Sequence, residues 1–104
     1  MTTWFVSRHP GAVEWARRKD LPVDRYVAHL PEANVESGDT VIGSLPVNLA
    51  AAIYARGARY LHLSLKLPAH LRGQELSADQ LDELCARLQE YRVENAGCPS
   101  DTHP

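Results

Sequence analysis

The sequence predicts an α/β fold: a mainly parallel four-stranded sheet with helices on both faces, in the order β-α-β-β-α-β-α. Two observations carry the prediction. Short β-prone runs alternate with stretches of helical periodicity, the pattern that places helices over a parallel sheet. Turn signals such as Pro10-Gly11, Gly38-Asp39 and Gly57 fall between them. The chain has 104 residues, which is one domain of ordinary size. Residues 1–94 read as that domain and residues 95–104 as a flexible tail.

Thr3 to Ser7 (Thr-Trp-Phe-Val-Ser) is apolar and β-prone and reads as strand one. It runs into the turn Arg8-His9-Pro10-Gly11, where Pro10 suits the first turn of a helix because its missing N–H costs nothing there. Helix one extends to about Lys19. Arg17, Arg18 and Lys19 lie in its last turn, where cations suit the helix dipole, and Leu21-Pro22 stops it. Asp24 to His29 reads as strand two and Thr40 to Gly43 as strand three. About nine residues separate them, fewer than a parallel crossover usually needs. Either a short extended loop makes that crossover or strand two is antiparallel, and the parallel arrangement is expected.

A helix rich in alanine runs from about Pro46 to Arg56, with Gly57 as its stop. Arg59 to Leu65 alternates Tyr60, His62 and Ser64 with three leucines and reads as strand four. Pro68 to Glu75 is a loop. Ser77 with Gln80 forms a capping box, flanked by Leu76 and Leu81 as a hydrophobic staple. Leu81, Leu84, Cys85, Leu88 and Tyr91 then fall on one helix face, so a last helix is expected from Ser77 to about Tyr91.

Composition narrows the function. Apolar residues are 44% and charged residues 23% of the chain, an ordinary globular balance. No apolar run approaches the ~20 residues of a membrane span, and the start lacks signal-peptide character. The net charge of −2 argues against a partner that is a long nucleic acid. Residues 1–73 hold nine basic and six acidic groups, whereas residues 74–104 hold two and seven. An anion site therefore belongs in the first two-thirds. The two cysteines, Cys85 and Cys98, are too few for a disulfide framework and read as reduced, with the cytoplasm as the expected location. No HExxH, CxxC, GxGxxG or GxxxxGK[ST] motif occurs, and neither a metal nor a cofactor is expected.

In open α/β sheets, ligands bind beyond the carboxyl ends of the strands. With strand one central, three turns meet there: Ser7-Arg8-His9-Pro10-Gly11, Gly43-Ser44-Leu45-Pro46, and the loop from Lys66 through Arg72-Gly73. Two of these turns open helices, whose free N–H groups suit phosphate. Each residue also has a plainer reading: Arg8 as a solvated charge, His9 or Ser44 as a helix cap, Gly11 as a close-packing residue. His62 reads as a satisfied core or interface histidine, and Tyr60 and Trp15 as packing residues.

The segments Trp-Phe-Val-Ser-Arg-His-Pro-Gly-Ala-Val-Glu-Trp-Ala (residues 4–16), Gly-Asp-Thr-Val-Ile-Gly-Ser-Leu-Pro-Val-Asn-Leu-Ala (38–50), Gly-Ala-Arg-Tyr-Leu-His-Leu-Ser-Leu (57–65) and Leu-Arg-Gly-Gln-Glu-Leu-Ser (71–77) together resemble a small CRISPR-associated family found beside type III systems. The resemblance covers about residues 2–93. It implies a ring nuclease that cleaves cyclic oligoadenylates, chiefly cyclic tetra-adenylate, and so switches off type III signalling. It also implies a Rossmann-like homodimer holding the ring at its two-fold axis. On that reading, cleavage proceeds without metal, by attack of a ribose 2′-OH on the neighbouring phosphate. The expected catalytic group is Arg8, for charge on the phosphorane, His9, for proton transfer, and Ser7. Gly11, Ser44, Leu45, Pro46, Asn48 and Arg72 are the expected substrate-binding residues. The alternative is a module that binds the messenger without cleaving it.

Overall fold

The computed structural model describes residues 1–64, 70, 73–84 and 86–97. Its elements in chain order are β1 (Thr3–Val6), α1 (Pro10–Arg18), β2 (Arg25–Val27), a 3₁₀ turn (Glu32–Asn34), β3 (Thr40–Gly43), α2 (Val47–Ala55), β4 (Arg59–Ser64), α3 (Ala78–Glu83) and β5 (Arg87–Tyr91). They build one five-stranded sheet in the order β2-β1-β3-β4-β5. The first four strands are parallel, and β5 runs antiparallel to β4. Strand two is parallel, as expected, with Phe5 opposite Tyr26. Its connection to β3 spans residues 28–39 and includes the 3₁₀ turn. Strand two is shorter than the sequence suggests, and the residues it releases supply the length of the crossover.

Strand alternation divides the core in two. Phe5, Ile42 and Leu63 face α1 and α3, where they meet Ala12, Trp15, Ala16, Ala78 and Leu81. Trp4, Val41 and Tyr60 face the other way and meet Val35 with Ala50 and Ile53 of α2. Helix α1 presents Ala12, Trp15 and Ala16 at spacings of three and one, a single buried stripe. Each large buried side chain, such as Phe5 or Ile53 at 0% exposure, stabilises the fold by about 1.5–3 kcal/mol through removal from water.

The helix ends follow local chemistry. Both α1 and α2 close with paired reverse bonds: Leu21 N–H to Ala16 C=O with Asp20 N–H to Arg17 C=O, and Ala58 N–H to Ile53 C=O with Gly57 N–H to Tyr54 C=O. Gly57 takes the left-handed conformation at φ +91°, whereas in α1 that position is held by Asp20 at φ +57°. The capping box at α3 forms as read: Ser77 Oγ accepts from Gln80 N–H, and Gln80 Oε1 accepts from Ser77 N–H.

The long last helix is a correction. Helix α3 ends at Glu83, and Ala86 N–H closes it by donating to Leu81 C=O. The chain then turns back as β5, pairing Leu88 with Leu63 and Tyr91 with Tyr60. Leucines at i, i+3 and i+7 fit one helix face, but β4 would then keep an unpaired edge. Pairing β5 satisfies that edge and still buries Leu88 against the α1–α3 side. The sheet therefore has five strands rather than four. Cys85, Cys98, Leu65 and the tail from residue 98 lie outside the described residues. Residues 92–97 form no regular element.

At the amino edge of the sheet, Asp39 is 3% exposed. It accepts from the N–H of Thr2 (2.8 Å), the N–H of Glu36 (3.0 Å) and the indole of Trp4 (3.2 Å). Burial pushes its carboxyl up, but the hydrogen bonds from Glu36, Thr2 and Trp4 together outweigh that and hold it below the usual carboxylate value. Because Asp39 precedes β3, it lies at the edge opposite the ligand turns. Among the described residues no helix is long and apolar enough to cross a membrane.

Candidate functional site

The strand order reverses between β1 and β3: α1 leaves β1 toward one face, and α2 leaves β3 toward the other. Such a switch point leaves a crevice at the carboxyl edge. Here it is a cavity of about 320 Å³. Its apolar lining comes from Val6, Ala12, Ala28, Leu63, Leu76 and Leu81, and its polar lining from Ser7, Arg8, His9, Ser44 and Gln74. Gly43 completes it. A Cβ at Gly43 would stand 2.7 Å from the Val6 carbonyl oxygen, at φ +156°, so glycine permits the close approach of the two strand ends that form the crevice.

Ser7 begins the first turn. Its N–H donates to Val27 C=O at 2.9 Å, tying the turn to β2, and its Oγ accepts from the N–H of His9 at 3.1 Å. The hydroxyl thus shapes the turn, and its own proton stays available to a ligand. Arg8 is exposed on the cavity rim, and none of the ion pairs among the described residues uses it.

His9 is the N-cap residue of α1, yet its side chain makes no capping bond. The ring is 59% exposed, with Nδ1 3.6 Å from Oε1 of Glu75. The imidazole is therefore exposed at the positive end of a nine-residue helix, with the Glu75 carboxylate beside it. Gly11, two residues on, serves packing: a Cβ there would lie 1.8 Å from the Leu76 carbonyl oxygen.

The second turn is more committed. Ser44 Oγ donates to Leu63 C=O at 3.2 Å, so its proton is engaged and the oxygen faces a ligand mainly as an acceptor. It does not cap α2, whose N-cap is Pro46. Leu45 N–H donates to the Tyr60 hydroxyl at 2.9 Å. That hydroxyl also lies 3.2 Å from Gly43 C=O and 2.6 Å from His62 Nδ1. Burial pushes the Tyr60 phenol up, only partly offset by the Leu45 N–H. Tyr60 and Trp15 are buried packing residues, as the sequence indicates, and His62 is half-buried with the Tyr60 hydroxyl as the partner of its Nδ1.

The structure brings Ser7, Arg8, His9 and Ser44 to one cavity. Gly11, Leu45, Pro46 and Asn48 do not line it. Arg72 lies outside the described residues. The sequence reading missed Gln74 and Glu75, which follow Gly73 in the same predicted loop as Arg72. The signal available was their place after a parallel strand, since such loops end at the carboxyl edge. Gln74 is held by a bond from its Nε2 to His70 C=O at 3.1 Å. Among the described residues no group of three or more His, Cys, Asp or Glu side chains could hold a metal ion.

These features define an α/β protein with a ligand-sized crevice at the switch point of a mostly parallel sheet, rimmed by a cation, an imidazole and a helix start. The chain belongs to the Cas_VVA1548 family, described as "Putative CRISPR-associated protein", whose model it matches over residues 4–94. No curated protein and no solved structure gave a match.

Proposed function

We propose that the protein is a ring nuclease that opens cyclic tetra-adenylate and so ends a type III CRISPR signal. The observation that carries this is the consecutive pair Arg8 and His9 on the cavity rim at the start of α1. A CRISPR-associated family gives the reading its context.

The chemistry needs three things. A ribose 2′-OH must lie in line with the adjacent phosphorus, the charge on the phosphorane must be held, and protons must move. Geometry alone supplies up to about 7–11 kcal/mol in ideal intramolecular cases. The 2′ oxygen forms its bond to phosphorus as the bond to the 5′ oxygen breaks, leaving a 2′,3′-cyclic phosphate and a 5′-hydroxyl. The Arg8 fork and the positive end of the α1 dipole stabilise the phosphorane oxygens. His9 takes the proton from the 2′-OH or gives one to the leaving 5′ oxygen, and solvent water makes the other transfer, so one proton moves net from the 2′-OH to the 5′ oxygen. Ser7 donates its free hydroxyl proton to ribose or phosphate.

A cavity of about 320 Å³ is at the small end of ligand sites. It suits one nucleotide and its phosphate, not a ring of four. A homodimer with two cavities around a two-fold axis matches a ring of near two-fold symmetry.

The test is incubation of the protein with cyclic tetra-adenylate in EDTA, with the products resolved by chromatography and mass. Linear products with cyclic phosphate ends are expected. A ring that stays intact at enzyme excess overturns the reading. Tight binding to that intact ring would instead mark a protein that sequesters the messenger.

A further inference from the structure

We infer that Gln74 is the residue that selects the base in this cavity, admitting adenine and rejecting a 6-oxo purine. The inference rests on the proposed reaction for the identity of the ligand. The placement and orientation of Gln74 are independent of it.

The cavity divides by chemistry. Leu63, Leu76 and Leu81 give it an apolar body at the face of the sheet, where the flat faces of a purine are desolvated. Arg8 and His9 occupy the rim with the start of α1, which is where a phosphate belongs. A nucleotide with its phosphate on that rim directs its base toward the apolar body, and Gln74 is the carboxamide among the cavity residues.

An amide side chain reads bases only if its two ends stay distinguishable. A glutamine free to rotate offers N–H or C=O in either position, and so accepts both adenine and hypoxanthine. The exposed Gln74 amide is biased in this respect: its Nε2 donates to the carbonyl of His70 at 3.1 Å, and an inverted amide would face oxygen with oxygen. One N–H and the Oε1 remain for a ligand in that favoured order. That donor–acceptor pair complements adenine, whose exocyclic N6–H donates beside a ring-nitrogen acceptor. A 6-oxo purine places an acceptor where adenine has its donor, so Oε1 would meet O6 and both would be left unpaired.

The experiment compares cyclic tetra-adenylate with cyclic tetra-inosinate on the wild-type protein, Gln74→Leu and Gln74→Ala, reading kcat/KM for each ring. A bidentate amide–adenine pair discriminates by roughly 5- to 150-fold, so the wild-type ratio should fall in that range. Both variants should bring the ratio to within about three-fold of unity, because neither keeps an oriented N–H beside a C=O. The ratio is taken within one protein, so general damage to the loop cancels. A wild-type protein that cuts both rings equally, or variants that keep the wild-type ratio, overturn the role of Gln74 while the nuclease reading stands. A protein that neither binds nor cuts the adenine ring overturns both.

Discussion

The carbonyl oxygen of Leu76 lies 1.8 Å from the point a Cβ on Gly11 would occupy. Two segments 65 residues apart in the chain, the start of α1 and the approach to α3, are thus in backbone contact beside the cavity. Leu76 lines that cavity on one side of the contact, and His9 and Ala12 line it on the other.

Gly11→Ala should therefore act on both stability and the site. The obstacle is backbone rather than a flexible side-chain end, so one segment must move. Overpacking of this kind costs about 1–3 kcal/mol and sometimes more. Urea denaturation would measure it. A change under about 0.5 kcal/mol would show that the contact gives way easily.

Arg8 and His9 should separate in their effects. Arg8→Ala removes the charged donor fork and should weaken binding of cyclic tetra-adenylate about ten-fold or more, since bonds to a charged group are worth about 1.5–3 kcal/mol. His9→Ala should leave binding within about three-fold and slow single-turnover cleavage by about 10²–10⁴. Equal losses of affinity and rate at His9 would assign it to positioning alone.

Asp39 gives the fold a pH dependence with a defined sign. Its carboxyl is held below the ordinary value of about 3.9, so the folded state favours the ionised form. The stability this contributes is complete above the unfolded value and is lost as pH falls through the folded one. Asp39→Asn keeps one acceptor oxygen and turns an amide toward N–H donors, leaving buried donors unpaired at about 1–3 kcal/mol. Denaturation at pH 7 should show that loss, and the gap between the two proteins should narrow toward pH 3. A gap independent of pH would refute the charge argument.

Tyr60→Phe removes the acceptor for Leu45 N–H without changing the ring that fills the α2 side of the core. The stranded, half-buried N–H should cost about 1 kcal/mol, at the low end of the range for unpaired donors. The turn that carries Ser44 should loosen, which faster exchange of the Leu45 amide would report. Unchanged exchange would mean that water replaces the phenol.

Much of this molecule was legible locally. Alternation in Tyr60-Leu61-His62-Leu63 named the strand and its two faces, because a pleated strand has a period of two. Gly57 announced the end of α2, and Ser77 with Gln80 the start of α3, because each satisfies orphan groups of the helix with its own atoms. Asp20 was harder: it closes α1 in the conformation usually held by glycine, and no local signal sets it apart from other polar turn residues. Arg8, His9 and Ser44 could be placed on one edge from strand polarity alone.

The segment from Leu84 to Tyr91 was not legible in that way. Its apolar spacing serves a helix face and an edge strand about equally well, and the free edge of β4, formed by residues distant in the chain, settles the matter. Gln74 belongs to the same class: nothing in Gly73-Gln74-Glu75 distinguishes a solvated loop from a wall of the cavity until α3 packs on α1. The sequence by itself determined the elements that satisfy their own hydrogen bonds and the polarity of the sheet that carries the first ligand turns. The tertiary structure decided which backbone edges remained to be paired and which side chains met across the crevice, because those depend on surfaces that exist only once the sheet has formed.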